Sequence, residues 1–185
     1  MRWILFIILA YLFVVFQSSL GGVFAFFDTP VGTIGPDFVA ILAMFVTLRA
    51  RSRVDVLLAA WILGMAVDIT TAGGPGGLTV IGPMALGYLT SASLLYLVRE
   101  AVFQERPIAQ AFLSLLFVLV AHGVWVSLQS IVAWSQVSWG DYGQMLLRAV
   151  GVAVYSGIVG PLVLFGLSAI KTWFIPAPSS RRQRR

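Results

Sequence analysis

Six long apolar segments, separated by short runs of glycine, proline or charge, restrict this chain to a membrane environment. A transmembrane helix needs about 20 predominantly apolar residues, although ~17 can suffice. With 59% hydrophobic and only 10% charged residues, the chain has too little polar surface to fold in water. The segments lie at roughly 3–20, 36–48, 54–71, 78–98, 108–134 and 144–174.

These segments predict an all-α integral membrane protein, a compact bundle of six transmembrane helices. We expect a single membrane domain over residues 1–175 and a basic cytoplasmic tail at 176–185. The second segment is short for a span, so it must start at Pro36 in the outer headgroup region and run to Arg49. The first segment has a second interpretation, a signal peptide with Arg2 as its charged region, and its removal would leave five spans.

The basic residues predict the orientation, because cytoplasmic loops carry an excess of lysine and arginine. Eleven of the 12 basic residues fall on one side of the six-span arrangement, and only Arg148 falls on the other. We therefore expect both termini in the cytoplasm. The cytoplasmic group comprises Arg2, Arg49, Arg51, Arg53, Arg99, Arg106, Lys171, Arg181, Arg182, Arg184 and Arg185. Seven of these are expected to face anionic lipid or a filament: Arg49, Arg51, Arg53, Arg181, Arg182, Arg184 and Arg185.

Two aspartates in apolar segments are candidates for structural or partner-binding roles, since an ionisable residue inside a bilayer is costly. Asp37 follows Gly35-Pro36 in the first turn of the second helix, where proline is favoured and a carboxylate meets the positive end of the helix dipole. Capping of this helix alone would explain Asp37, and we favour that interpretation. Asp68 lies near the C-terminal end of the third helix, where the dipole disfavours it. It can reach headgroup water or pair with a cation. We predict that Arg148 pairs with Asp37 or Asp68.

His122, Trp125 and Gln129 share roughly one face of the fifth helix. A histidine at this depth can relay protons. A lone histidine in a membrane helix more often makes a packing hydrogen bond to a neighbouring helix, and we favour this second interpretation for His122.

Stripes of small residues mark two helices, and such stripes let helix backbones approach closely. The approach can be within the chain or against the helix of a partner. Pro83 and Pro161 predict kinks in the fourth and sixth helices. The stripes are Ala60, Gly64 and Asp68 in the third helix, and Ala149, Ala153 and Gly157 in the sixth.

The sequence offers little for catalysis or for binding a cofactor. Cysteine is absent and there is one histidine, which excludes thiolate metal sites and a cysteine nucleophile. The glycine-rich run at 73–77 lacks the Lys-Ser/Thr ending of a phosphate loop. No G-x-S-x-G or H-E-x-x-H motif is present. We expect no enzyme, no cofactor, no metal ion and no nucleic acid partner, and the RRQRR tail is better suited to anionic lipid headgroups.

Several short motifs occur in a characteristic order over roughly residues 15–125. They are Gln17-Ser18-Ser19, Pro36-Asp37-Phe38, Gly64 with Asp68, Gly77-Leu78 after a glycine turn, and Gly87-Tyr88-Leu89. In order, spacing, size and topology, the chain resembles the bacterial rod shape-determining protein MreD family. The positions that match the recurring pattern of that family are Pro36, Asp37, Gly64 and Asp68.

The resemblance implies a non-enzymatic scaffold of the cell-elongation complex, needed for rod shape and lateral peptidoglycan synthesis. It implies a location in the bacterial inner membrane and, as partners, MreC, the MreB filament, RodA and its penicillin-binding transpeptidase. It implies no catalytic residue. Small-residue stripes would dock the transmembrane helix of a partner.

Two other functions are compatible with a six-helix membrane protein of this size. One is the substrate-binding subunit of an energy-coupling-factor vitamin transporter, whose fold the MreD family is taken to share. Such subunits carry an Ala-x-x-x-Ala motif on their first helix, whereas here Ala10 has Phe6 and Val14 at those spacings. The other is a small proton-coupled transporter using Asp68 and His122.

Overall fold

The computed structural model describes residues 2–29, 32–70, 81–99, 106–132 and 138–174, and these residues form six helices and one small hairpin. The glycine turn at 72–77 and the basic tail at 176–185 lie outside the described residues. The helical fold class is confirmed. The helices are α1 (Trp3–Phe24), α2 (Phe38–Arg49), α3 (Arg53–Thr70), α4 (Pro83–Val98), α5 (Pro107–Val132) and α6 (Trp139–Phe174); the strands are β1 (Phe26–Thr29) and β2 (Gly32–Ile34).

Helix α2 is the centre of the bundle. Each of the other five helices contacts it, and those five contact one another in the cyclic order α1, α3, α4, α5, α6, with α6 returning to α1. Every residue of α2 from Phe38 to Leu48 is buried. Helix α2 is apolar on all sides and has no polar face to present to water. A helix of this kind is stable when other helices surround it, as they do here.

The start of α2 lies deep in the bundle, level with the middle of α5 and α6. Asp37, which precedes α2, contacts His122, the sixteenth of 26 residues in α5. It also contacts Ser156, the eighteenth of 36 residues in α6. The 12-residue helix is only about 18 Å long, at ~1.5 Å per residue. It therefore occupies roughly one half of the bundle's length.

The other half is reached by the hairpin, which the sequence did not predict. Strands β1 and β2 pair antiparallel, with an irregularity between Phe26 and Asp28. Strand β2 contacts α6, where a side chain at Gly151 would collide with Ile34. The chain then returns towards the middle of the bundle through Gly35 and Pro36. The hairpin thus stands where a full-length second helix would otherwise continue.

Helix α4 starts later than the predicted 78–98 segment. Residues 81 and 82 form a bend, and Pro83 is the first residue of the helix. Proline is favoured at this position because its missing N–H has no intrahelical partner to lose. Pro83 therefore begins a helix and does not kink one, whereas Pro161 lies inside α6 as expected.

Among the described residues, two helices are long and apolar enough to cross a membrane: α5, and α6 over Trp139–Ala169. Only 33% and 39% of their most apolar windows are buried. A core helix of a water-soluble domain would be mostly enclosed, so these two helices present much of their apolar surface outwards. Helices α2 and α4 are apolar but shorter.

Candidate functional site

The strongest concentration of buried polar groups lies around Asp37, at the start of α2. Gly35 and Pro36 hold the chain in an extended form up to Asp37, whose own backbone is also non-helical. One carboxylate oxygen, Oδ1, accepts the backbone N–H of Ala40 at 2.9 Å. This is an N-cap interaction, and it confirms the predicted capping role of Asp37.

The same carboxylate binds side chains from two other helices. The Tyr88 hydroxyl of α4 lies 3.1 and 3.0 Å from Oδ1 and Oδ2. His122 Nε2 of α5 lies 3.0 Å from Oδ2. His122 thus makes the hydrogen bond to a neighbouring element that its packing interpretation requires.

Helices α6 and α1 bind the backbone at Asp37 and on either side of it. The Asp37 N–H donates to Ser156 Oγ of α6 at 2.9 Å. The Gln17 side chain of α1 accepts the Phe38 N–H at 2.8 Å and donates to the Pro36 carbonyl at 3.2 Å. The first turn of α2 is thus bonded to α1, α4, α5 and α6, and this set of groups is called the Asp37 cluster below.

Asp68 forms a second buried cap, for a helix other than its own. Its carboxylate accepts the N–H groups of Gly82, Met84 and Ala85 at 3.0 to 3.2 Å. Pro83 has no N–H, so every N–H from 82 to 85 ends on Asp68. The carboxylate is unfavourable at the end of α3 but favourable at the positive end of α4. This explains a charge that the local sequence of α3 does not.

The opposite end of α2 is bonded to an arginine. Arg99 Nη1 donates to the Ala50 carbonyl at 2.6 Å and to the Thr47 carbonyl at 3.4 Å. Its guanidinium lies 3.9 Å from the centre of the Tyr96 ring. Carbonyls at a helix C-terminus lack intrahelical donors and carry partial negative charge. Each end of α2 is therefore bonded to a side chain whose charge is opposite to the partial charge of that helix end.

The predicted pair between Arg148 and Asp37 or Asp68 is wrong for the arrangement described. Arg148 is exposed and its Nε donates to the carbonyl of Thr33 at 3.0 Å. Both aspartates take their hydrogen bonds from other groups. That prediction assumed that each carboxylate needs a cation. Backbone N–H groups of α4 instead bind the Asp68 carboxylate, and the Ala40 N–H, Tyr88 and His122 bind the Asp37 carboxylate. Arg148 ties α6 to the hairpin.

The small-residue stripes are used within the chain. A Cβ at Gly64 would collide with the backbone of Ala85, and one at Gly87 would collide with the Ala121 carbonyl. Ala149, Ala153 and Gly157 are buried as well. The stripes therefore pack α3 on α4, α4 on α5 and α6 on its neighbours. Docking of a partner's helix on them, one of the expectations from the sequence, would require the bundle to open.

The other predicted residues are not hydrogen-bonded to Asp37. Trp125 stacks edge-on to His122 at 6.4 Å between ring centres. Gln129 is buried, and its Oε1 has no hydrogen-bond partner among the described residues. Arg49 is half-buried at the end of α2, while Arg51 and Arg53 are exposed. Arg181, Arg182, Arg184 and Arg185 lie outside the described residues.

The chemistry of the Asp37 cluster is that of a structural junction. A carboxylate, an imidazole and a phenol meet there, and each is occupied by another member of the cluster. Within the described residues, no group of three or more His, Asp or Glu side chains is placed to hold a metal ion. The geometry aligns five helices at one buried point.

Four residues of these sites had no assigned role in the sequence: Gln17, Tyr88, Arg99 and Ser156. Gln17 and Tyr88 belong to the motifs that carry the family resemblance, yet the motifs do not say what they bind. Arg99 counted only as a loop charge. Ser156 lies three residues after Ala153, so the small-residue stripe indicated its helix face but not its partner.

Comparison of this chain with protein-family models, with curated proteins and with solved structures gave no match.

Proposed function

We propose that this chain is a multi-pass protein of the bacterial inner membrane, with six spans and both termini in the cytoplasm. Large apolar side chains are exposed on five of the six helices, whereas a water-soluble monomer rarely exposes large continuous apolar patches. A bilayer would cover them. Examples are Ile7 and Leu12 on α1, Leu58 on α3, Leu94 on α4, Phe112 on α5, and Ile158 and Phe165 on α6.

The central position of α2 is compatible with this topology despite the helix's length. A helix of about 18 Å does not cross a ~30 Å hydrocarbon core. Irregular backbone at membrane depth is tolerated where protein encloses it. Here the segment that leads into α2 is enclosed by the ring of five helices, and the N–H groups of Asp37 and Phe38 have partners.

We further propose that the protein is a non-enzymatic scaffold of the cell-elongation complex, as in the MreD family. The observation that supports this proposal is the structural role of the four residues that match the family pattern. Pro36 and Asp37 begin the central helix, Gly64 allows α3 to touch α4, and Asp68 caps α4. All four maintain the shape of the bundle, and a shape-dependent role is what a scaffold requires.

On this proposal, contacts with MreC, MreB, RodA and its penicillin-binding transpeptidase use outward surfaces. The stripes of small residues are occupied, so a transmembrane helix of a partner would dock on exposed apolar faces. The arginines between α2 and α3 lie at the cytoplasmic end, where they are available to a filament or to anionic lipid.

Single cysteines test the topology, because the natural chain contains none that would need removal. Ser135→Cys should react with a membrane-impermeant maleimide in intact spheroplasts, whereas Ser52→Cys should react only after permeabilisation. Reaction of both in intact spheroplasts would rule out the proposed orientation.

Recovery of partners tests the scaffold. The tagged protein is extracted from native membranes in mild detergent, and the co-purified proteins are identified. MreC-like and RodA-like proteins should be recovered, and depletion of the protein should convert rods into spheres. Recovery of a pair of ATPases, or of a tightly bound vitamin, would instead identify a transporter subunit.

A further inference from the structure

A groove opens in the ring of helices at the end of the bundle that holds Arg49 and Arg99. Its volume is about 460 Å³, which is within the range of small-molecule sites. The end of α2, the start of α5 and the C-terminal half of α6 form its walls. Of the α2 residues that line it, Phe45 and Leu48 are buried and Arg49 is half-buried.

The walls of the groove are apolar along most of their length. Phe45 and Leu48 of α2 face Leu162 and Phe165 of α6. Leu162 and Phe165 are 74% and 80% exposed, so these side chains lack protein contacts on most of their surface. Such a surface gains free energy when another apolar group covers it. The groove therefore has the character of a binding surface for a chain of apolar groups.

One positive charge lines the groove, the guanidinium of Arg49. Within the described residues, no hydrogen bond or ion pair involves this side chain. Arg99 at the same end contrasts with it, because its guanidinium is bonded to Ala50. A half-buried guanidinium beside an apolar surface requires an anionic partner or water, and guanidinium geometry matches phosphate oxygens well.

We propose that the groove binds one anionic phospholipid of the cytoplasmic leaflet. The lipid phosphate lies on Arg49, and one acyl chain runs along Phe45, Leu162 and Phe165. Basic pockets between transmembrane helices on the cytoplasmic side are sites of this kind. The proposal rests on the membrane insertion and orientation proposed above, but it is independent of the scaffold role and of any protein partner.

Native mass spectrometry of the full chain tests the proposal. The protein is purified in a mild detergent containing equal amounts of phosphatidylglycerol and phosphatidylcholine, and the lipids that stay bound are counted. We expect one phosphatidylglycerol to be retained in preference to phosphatidylcholine. Arg49→Ala should lower this preference about fivefold, the effect of a single charge at a membrane surface.

Arg2→Ala is the matched control, since it removes the same charge from an exposed position that does not line the groove. It should leave the preference unchanged. Arg49→Lys should retain most of it, and Arg49→Gln, which also removes the charge, serves if Arg49→Ala does not fold. Circular dichroism monitors the fold of each variant.

Ser168→Trp tests the apolar part of the groove without changing the charge, because Ser168 lines the wall on α6. We expect it to lower retention of both lipids. Equal binding of the two lipids by the natural protein would overturn the proposal, as would equal losses in Arg49→Ala and Arg2→Ala. Partner recovery is measured separately, so the scaffold can fail while the lipid site stands.

Discussion

Asp37 and Arg99 bind opposite ends of the same buried helix. The Asp37 carboxylate accepts an N–H of the first turn of α2, and the Arg99 guanidinium donates to the carbonyl of Ala50 just after its last turn. The two side chains come from outside the regular part of α2, and their charges oppose the partial charges of the helix ends. A helix too short to cross a bilayer is thereby stabilised in the middle of a protein.

The first prediction concerns the carboxylate of the Asp37 cluster. Asp37→Ala removes a helix cap and leaves the hydroxyl of Tyr88 and the imidazole of His122 without their acceptor. We expect the free energy of unfolding to fall by about 2–4 kcal/mol, measured by thermal unfolding in detergent. Asp141→Ala is the control, because Asp141 bonds Ser138 at the exposed start of α6. A similar loss of unfolding free energy in both variants would contradict the inference that the buried Asp37 contributes more to stability than the exposed Asp141.

The second prediction concerns the close contact of α4 with α5. Gly87→Ala forces a methyl group against the Ala121 carbonyl, so the two helices must separate. We expect a loss of about 1–3 kcal/mol in the free energy of unfolding. Gly123→Ala is matched, since a Cβ there meets no atom within 4 Å. It should be neutral or stabilising because alanine favours helix. If both variants melted like the natural protein, the contact would be looser than described.

The third prediction concerns the other end of α2. Arg99→Ala leaves the carbonyls of Thr47 and Ala50 without this donor, and we expect a loss of about 1–2 kcal/mol. Arg51→Ala removes the same charge from an exposed site in the adjacent loop and should have little effect on the melting temperature. Equal sensitivity to the two substitutions would show that net charge, and not the cap, is what matters.

The fourth prediction concerns Arg148. Because Arg148 binds the hairpin carbonyl of Thr33 while Asp68 binds the start of α4, the two residues should act independently. The destabilisations by Arg148→Ala and Asp68→Ala should add to within about 0.5 kcal/mol in the double variant. A coupling energy well above that value, from the same unfolding measurement, would restore the ion pair expected from the sequence.

The helices were predictable because hydrophobic length and charge placement are local properties of the chain. Each described helix overlaps one apolar segment, and the Gly-Pro-Asp start of α2 was recognisable as a cap. The late start of α4 could also have been found, since Gly82-Pro83 is the same kind of signal. The hairpin was missed because its strands are only four and three residues long, below the length at which alternation is informative.

The partners of the polar residues were not predictable from one sequence. Asp68 caps the helix that follows its own, and such a contact leaves no periodic pattern in the sequence. Arg148 was paired with a carboxylate on charge alone, but the hydrogen-bonding capacity of each carboxylate is taken up by N–H groups or by Tyr88 and His122. Arg99 looked like an ordinary loop cation because its acceptor, Ala50, is a backbone carbonyl. Such choices depend on which helices become neighbours.

The enclosure of α2 also sets an order for biosynthesis. This helix is made before α3 to α6, yet the ring around it closes only through α6, which supplies Ser156 to the backbone of Asp37. Until α6 is made, the backbone N–H of Asp37 lacks Ser156 as its partner and the ring around α2 stays open. A nascent chain arrested before residue 139 should therefore be held by insertion factors or degraded, and the C-terminal helix commits the molecule to its final form.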